Sequence, residues 1–441
     1  MSSLDKTWSI ATTTKSSSRN QSFQRCLFSA RNVGANFYGK AHGGLKRDRT
    51  SALSIPFGRS VRVAPSKHHF SPAGANSDWS AQFGLIADVS REYAYENSMA
   101  GNRQVWLKSR PNGIPQAENF GIRDGDIPLI AEGEFLVQNH YLSSDPAARG
   151  WIADATTYWP RVEIGDTMRA FAVGEIIESR NPRYSTGEKV MGLFGWQEYA
   201  AATDKHVNLK IAPRDLPLSL YLGVLGLNGF TAYFGLLDVG LPKAGDTVVV
   251  STAAGAVGSC VGQIAKIKGC RTVGIAGGAE KVRQCLDEFG FDAAIDYKAG
   301  IDLDETLRSA SPDGVNVYFD NTSGSISDAV LRNLALGARI VICGTASYPS
   351  WNPWNMGPRP ERHLLVKRSR MQGFLATDFL DRFPEAEVQI SHWIKEGRIN
   401  YREEIHEGLE HAPGSLQRLY KGENTGKFVM RLPVAKTRVN A

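Results

Sequence analysis

Long hydrophobic runs and paired cysteines are both missing from this sequence. Nowhere in its 441 residues do about 18 or more apolar residues follow one another, which excludes a typical membrane-spanning helix. The five cysteines form no CxxC pair and no cluster with histidine, which argues against both a disulfide framework and a structural zinc site. We therefore expect a cytoplasmic protein that binds neither a metal nor a membrane.

Acidic residues are scarce at the N-terminal end. Residues 1–98 hold thirteen Lys or Arg against six Asp or Glu, so they account for the whole formal net charge of +6 and leave residues 99–441 close to neutral. A neutral body lacks the basic face that nucleic-acid binding requires. The Ser-, Thr- and Arg-rich composition of residues 1–98 predicts a disordered extension. The alternative is a transit peptide, which would make the protein mitochondrial.

In the rest of the chain, the pattern of predicted secondary structure changes near residue 225. Before that point, short β-prone runs such as "EFLVQNHYLSS" are separated by Gly, Pro, Asn and Asp, which predicts a mostly-β domain. Beyond it, strands alternate with helices, which predicts a parallel sheet covered by helices on both faces. In this interpretation "SISDAVLRNLAL", residues 325–336, is a helix, and the next strand is "ARIVICG", residues 338–344.

A run of small residues follows the apolar segment "DTVVV". In "STAAGAVGSCVGQIAKIKGC", residues 251–270, Ala253, Gly255 and Gly258 stand between a predicted strand and a predicted helix. Dinucleotide-binding turns need this setting, because glycine lets the backbone approach a pyrophosphate while the helix N-terminus offers free N–H groups. We interpret this segment as a nucleotide-binding turn and not as a purely structural corner.

The end of the second predicted strand indicates which nucleotide binds. An NAD site would place an acidic residue there to accept from the ribose 2′-hydroxyl. The strand instead ends "GIAGGAEK", with Ala276, Gly277 and Gly278 in place of a carboxylate and Lys281 in the following helix. A cation suits a 2′-phosphate, so we expect NADPH. The alternative is that Lys281 is an ordinary solvated lysine.

Several longer stretches resemble a known family. They include "DPAARGW", "LGLNGFTAYFGLLDVG", "AAGAVGSCVGQIAKIKGC", "VYFDNTSG" and "GENTGKFV", and together they extend from about residue 99 to 433. They are similar to the zinc-independent medium-chain dehydrogenase/reductases, in the group of prostaglandin reductases, alkenal double-bond reductases and curcumin reductases. The resemblance implies an α/β protein in which a mostly-β GroES-like catalytic domain, residues 99–225, is interrupted by a Rossmann domain. The Rossmann domain, a doubly wound parallel sheet that binds NADP, would span residues 226–376. Residues 377–441 would return to the catalytic domain, and we expect a homodimer.

The resemblance also implies cofactor contacts that composition does not show. The pyrophosphate would lie on the turn after the first strand, Lys281 and Tyr297 would hold the adenosine phosphate, and a further set of residues would line the nicotinamide half. The turn residues are Gly255, Ala256, Val257 and Gly258, and the further set is Asn321, Cys343, Gly344, Thr345, Phe374 and Asn424.

The chemistry expected from this resemblance is hydride addition to a polarised C=C bond. Zinc-dependent members of the superfamily need a Cys or His ligand in the catalytic half, but residues 99–220 contain no cysteine, and His140 and His206 are isolated there. Reduction of an enone or enal needs no metal, only a donor for the developing enolate oxygen. Tyr158 matches the tyrosine that the family places over the substrate, and Tyr348, in a shortened loop, is the second candidate. A quinone reductase and a non-catalytic NADP-binding scaffold or redox sensor remain as alternatives.

Overall fold

A computed structural model describes residues 101–433, except Ala155, Thr156, Pro349, Asn352 and Trp354. The predicted extension, residues 1–98, lies outside the described residues. Among the described helices, none combines the length and the apolar character that crossing a membrane would require.

A mostly antiparallel sheet is built mainly from the strands predicted before residue 225, with one parallel pair contributed by the C-terminal segment. Its centre is β3, which pairs with β4, with β6 and with the last strand of the chain, β15. Residues from the two ends of the described chain therefore share one sheet. Its strands are β3 (Phe135–Ser143), β4 (Phe171–Ser179), β5 (Lys189–Leu193), β6 (Tyr199–Ala202), β7 (Val207–Ile211), β14 (Glu403–Glu407) and β15 (Lys427–Arg431). Strands β1 (Gln104–Leu107) and β2 (Phe120–Arg123) form a separate pair.

A six-stranded parallel sheet occupies the middle of the sequence, as predicted. Its strands are β8 (Thr247–Ser251), β9 (Arg271–Ala276), β10 (Ala293–Asp296), β11 (Val315–Asp320), β12 (Leu334–Ile342) and β13 (Arg370–Gly373), in the spatial order β10-β9-β8-β11-β12-β13. All five residues of β8 are buried, as expected for a parallel strand covered on both faces. The predicted fold class, a Rossmann sheet beside a mostly-β sheet, is confirmed.

Helices connect the parallel strands and pack on both sheets. They are α1 (Ala148–Ile152), α2 (Leu227–Phe234), α3 (Ala256–Ile267), α4 (Ala279–Arg283), α5 (Leu303–Ala310), α6 (Gly324–Arg332), α7 (Glu361–Lys367), α8 (Phe383–Lys395) and α9 (Ala412–Lys421). Helices α2 and α4 continue as π-helical turns over Gly235–Gly240 and Gln284–Glu288. One hydrophobic core contains Phe135 of the first sheet, Val248 of the second and Phe383 of α8, so the two sheets share buried packing.

The boundary between α6 and β12 corrects the sequence interpretation. Residues 334–336 were predicted to end a helix, but α6 ends at Arg332 and β12 already begins at Leu334. Leu334 is buried and pairs with Val315 of β11. A short apolar run such as "LAL" fits a helix and a strand equally well, so pairing with β11 decides its conformation.

Candidate active site

The carboxyl edge of the parallel sheet gathers most of the predicted site residues. From β8 the chain runs outward through β9 and β10, and then returns to β11 on the other side of β8. The strand order thus reverses between β8 and β11. Ligands of open parallel sheets bind in the crevice at such a point, outside the carboxyl ends of the strands.

The turn between β8 and α3 is shaped by close backbone contacts. A Cβ atom on Gly258 would lie 2.9 Å from the Cα of Ala253 and closer still to the main-chain oxygen of Thr252. Thr252 itself has a φ of 53°, which is unusual for a β-branched residue. Gly255 caps α3, so the N–H groups of Ala256 and Val257 lie in the first helical turn, where no intrahelical acceptor exists. This turn can hold a pyrophosphate.

A cationic pocket lies at the ends of β9 and β10. A Cβ on Gly277 would lie 2.9 Å from a ring carbon of Tyr297, so glycine leaves room between strand and ring. Lys281 Nζ donates to the main-chain oxygen of Gly422 at 2.7 Å. Burial and the nearby charge of Lys298 lower the pKa of Lys281. Two cations in close proximity, one of them partly desolvated, favour an anion such as a 2′-phosphate.

Lys298 was not identified from the sequence. It follows Tyr297 directly, and its Nζ lies 5.9 Å from the centre of the Tyr297 ring. Its main-chain N–H donates to Asp296 Oδ1 at 2.9 Å, and the same oxygen accepts from the N–H of Gly278 at 2.8 Å. Asp296 therefore fixes both sides of the pocket. The signal available in the sequence was the lysine of "IDYKAG".

Four of the predicted nicotinamide residues lie together at the ends of β11 and β12. Asn321 Nδ2 donates to the main-chain oxygen of Ser251 at 2.7 Å, which links β11 to β8. A Cβ on Gly344 would lie 3.0 Å from the main-chain oxygen of Asn321. Burial, aided by the charge of Asp320, raises the pKa of the Cys343 thiol to about 12, so this thiol stays protonated. The hydroxyl of Thr345 accepts from Trp351 Nε1 at 3.0 Å.

The other two predicted nicotinamide residues have different surroundings. Phe374 follows β13, meets Phe319 edge to face at 6.3 Å and packs against Gly235. Asn424 Nδ2 donates to the main-chain oxygen of Gly426 at 2.9 Å, within its own loop. That loop also contains Gly422, the acceptor of Lys281. The loop thus brings Asn424 close to Lys281, and among the described residues no hydrogen bond joins Asn424 to Asn321.

Tyr158 lies on the catalytic side of the crevice. Its side chain is 53% exposed, and its ring centre lies 5.9 Å from that of Trp159. Loss of hydration raises the pKa of the phenol, and the neighbouring Cys343 and Asp145 act in the same direction. The preceding residue, Thr157, lies beside the loop after β12, because a Cβ on Gly150 would lie 3.5 Å from the Thr157 hydroxyl oxygen and 3.9 Å from the ring of Trp351.

The main chain of Tyr348 is held by a residue of α1 that was not identified from the sequence. Arg149 of α1 donates from Nη1 to the main-chain oxygen of Tyr348 at 2.6 Å. The Tyr348 ring lies near Gly324, whose added Cβ would come within 3.7 Å of it. Tyr158 and Tyr348 thus lie on different loops, one after α1 and one after β12, and Arg149 connects α1 to the second of them.

Comparisons with known proteins agree with this arrangement. A family model described as "N-terminal domain of oxidoreductase" matches residues 103–209, and one described as "Zinc-binding dehydrogenase" matches residues 256–392. The NADPH-dependent curcumin reductase of Escherichia coli is 45% identical over 339 residues, which cover 75% of this chain and 97% of that protein. This chain belongs to the zinc-independent medium-chain dehydrogenase/reductases. The family predicted from the sequence is thereby confirmed.

Two further relatives place it within that family. The NADP⁺-dependent 2-alkenal reductase of Nicotiana tabacum is 40% identical over 337 residues, which cover 75% of this chain and 97% of that enzyme. The crystal structure of CurA from Vibrio vulnificus in complex with NADPH is 43% identical, covers 76% of this chain and 100% of that chain, and superposes with a TM-score of 0.71. The relatives named above are therefore reductases or a protein crystallised with NADPH.

Within the described residues, no group of three or more His, Cys, Asp or Glu is arranged to hold a metal ion.

Proposed function

We propose that this protein reduces the C=C bond of α,β-unsaturated ketones or aldehydes with NADPH. The observation that carries the proposal is the position of the loop that holds Tyr158: a Cβ on Gly150 would lie 3.5 Å from the hydroxyl oxygen of Thr157 and 3.9 Å from the ring of Trp351. This loop therefore borders the segment after β12, at the carboxyl edge of the sheet where a nucleotide binds. The relatives support the same conclusion, since they are named as curcumin and 2-alkenal reductases.

The residues at the crevice fit NADPH along its length. The turn from Gly255 to Gly258 would hold the pyrophosphate, and Lys281, Lys298 and Tyr297 would hold the 2′-phosphate. Asn321, the segment from Cys343 to Thr345, and Phe374 would border the nicotinamide, while Asn424 would contact the cofactor from its loop. When bound, NADPH supplies a hydride for the β-carbon of the substrate.

Tyr158 has the properties of a donor to the substrate oxygen. Negative charge develops on the carbonyl oxygen when hydride reaches the β-carbon, and an O–H group aimed at that oxygen stabilises it. The raised pKa of Tyr158 keeps the phenol neutral and therefore able to donate at physiological pH. Tyr348 is the second candidate, because its loop borders the same crevice.

The two alternatives have less support. Quinone oxidoreductases share the fold at about 18% identity, which supports the architecture and no activity. A thiol-based redox sensor would need a cysteine with a lowered pKa. Burial instead raises the pKa of all four described cysteines, Cys260, Cys270, Cys285 and Cys343, to between about 11 and about 12.

Three further expectations belong to this proposal. The strand positions support a catalytic domain of residues 99–225 and 377–441 around an NADP domain of residues 226–376. A second copy would extend the parallel sheet at β13, an edge strand whose four residues are exposed. Sedimentation of the parent protein and of Met371→Asp, a change on that edge strand, tests the homodimer, because the change should convert a dimer into a monomer.

The free thiols of the four described cysteines suit the cytoplasm.

A product assay tests the proposed reaction. The full-length protein is incubated with NADPH and, separately, with enones, enals and quinones, and the products are identified by mass spectrometry and NMR. We expect saturated ketones and aldehydes. Turnover of quinones alone would favour the quinone reductase, and no turnover of any substrate despite NADPH binding would favour the scaffold.

A further inference from the structure

We infer that Arg149 is a positioning residue. It acts as a clamp that holds residues 343–348, called here the Tyr348 loop, against α1 beside the crevice where the substrate would bind. Arg149 is 2% exposed, and among the described residues it takes part in no ion pair. A buried guanidinium without a carboxylate is costly unless other groups replace its hydration. Its surroundings in the structure show which groups do so.

Two aromatic rings enclose the guanidinium. Its central carbon lies 4.7 Å from the ring centre of Trp351 and 4.9 Å from that of Tyr420. Aromatic rings attract a cation, and the planar guanidinium stacks on them in a way that a lysine ammonium does not. Trp351 lies just beyond the Tyr348 loop and Tyr420 lies on α9, so the arginine joins two separate chain segments to α1.

Hydrogen bonds hold each part of this clamp in place. Arg149 Nη1 donates to the Tyr348 main-chain oxygen at 2.6 Å. Trp351 Nε1 donates to the Thr345 hydroxyl at 3.0 Å, and the Tyr420 hydroxyl donates to the Pro146 main-chain oxygen at 2.9 Å. The main-chain oxygen of Tyr348 and the ring of Trp351 thus attach the loop to Arg149 of α1.

The clamp lies next to the proposed donor. A Cβ on Gly150, the residue after Arg149, would lie 3.5 Å from the hydroxyl oxygen of Thr157 and 3.9 Å from the ring of Trp351, so the chain at Tyr158 lies beside the clamp. Release of the loop would therefore move the residues that border the nicotinamide relative to the Tyr158 phenol. A displacement of about 1 Å from the reacting geometry can slow a reaction by about 10²-fold. The inference rests on the proposed enone reduction.

The test uses Arg149→Lys, which keeps the charge but removes the planar stacked group. Single-turnover stopped-flow with enzyme-bound NADPH and an enone measures the hydride-transfer rate constant, and its amplitude measures the active fraction. We expect the rate constant to fall about tenfold while the amplitude and the dissociation constant of NADPH stay within twofold. A smaller amplitude with an unchanged rate constant would mean that Arg149 only stabilises the fold, which would overturn the inference.

Variants of Tyr420 provide matched controls. Tyr420→Phe keeps the ring over the guanidinium and loses only the hydrogen bond to Pro146, so it should slow the reaction less than Tyr420→Leu, which removes the ring. Because both changes act on one clamp, Arg149→Lys combined with Tyr420→Leu should be no slower than Arg149→Lys alone. Fully additive losses would contradict a shared clamp.

A second measurement needs no turnover and separates this inference from the proposed function. Hydrogen–deuterium exchange of the amides in residues 343–348 should rise in Arg149→Lys and should rise less in Tyr420→Phe, which keeps the ring over the guanidinium. Unchanged exchange in Arg149→Lys would refute the clamp even in an active enzyme. Increased exchange in a protein that reduces no enone would support the clamp while the proposed function fails.

Discussion

Substitution of Gly258 by alanine probes the nucleotide turn most directly. The added Cβ would lie 2.9 Å from the Cα of Ala253, whereas two carbons in contact are separated by about 3.5–4.0 Å. Ala253 cannot yield easily, because its N–H donates to the main-chain oxygen of Ile275 at 3.0 Å and because Thr252 before it already has a positive φ. Helix α3 must therefore move by roughly 1 Å, and overpacking of this kind costs about 1–3 kcal/mol of stability.

The same displacement moves the first turn of α3 away from the pyrophosphate. We expect Gly258→Ala to bind NADPH at least about tenfold more weakly, equivalent to about 1.4 kcal/mol, as measured by fluorescence titration of folded protein. Gly262→Ala is the control: its Cβ would also overlap a neighbour, the Phe291 ring, but in the middle of α3 and away from the turn. It should lower the melting temperature and largely spare NADPH affinity. Parent-like NADPH affinity in Gly258→Ala would refute this account of the turn.

Three more predictions concern the cofactor, the donor and metals. Lys281→Ala should lose about 1–3 kcal/mol of the preference for NADPH over NADH in kcat/KM. Lys268→Ala, a change at an exposed lysine, should keep the parent preference. Equal kcat/KM with both cofactors in the parent protein would contradict this prediction. Tyr158→Phe should slow enone reduction at least about tenfold while the affinity for NADPH stays constant. If Tyr158→Phe kept full activity and Tyr348→Phe lost it, the donor to the substrate oxygen would be Tyr348. Because loss of hydration raises the pKa of Tyr158, any loss of rate from ionisation of its phenol should begin at a higher pH than it would for a solvated tyrosine. Chelator treatment should leave activity unchanged, and loss restored by added zinc would overturn the absence of a metal site.

The sequence predicted the parts of the fold that local pattern controls. "DTVVVS" followed by "AAGAVGS" locates β8, the turn and α3, because a buried strand, a glycine turn and an amphipathic helix each have their own residue pattern. The absence of an acidic residue at the end of β9, where Ala276, Gly277 and Gly278 stand, was likewise visible. Resemblance supplied the positions of Tyr158, Tyr297 and Asn321, which composition alone does not distinguish from other polar residues.

Features that depend on distant contacts could not be predicted. Residues 334–336 carry an apolar run without a distinguishing period, and pairing with β11 makes them a strand. Arg149 is separated by about two hundred residues from Tyr348 and by more from Tyr420, so no local pattern indicates that their side chains and backbone meet. Lys298 gains its role only because the ends of β9 and β10 lie side by side.

Isotope transfer tests the central proposal most directly. NADPH deuterated at carbon 4 of the nicotinamide, on one face and then on the other, is supplied to the full-length protein with an enone, and the product is examined by NMR. The proposed reaction predicts a saturated ketone that carries deuterium at its β-carbon with one of the two cofactors. A ketone reduced to an alcohol, deuterium at the carbonyl carbon, or an unlabelled product would contradict hydride addition to the C=C bond.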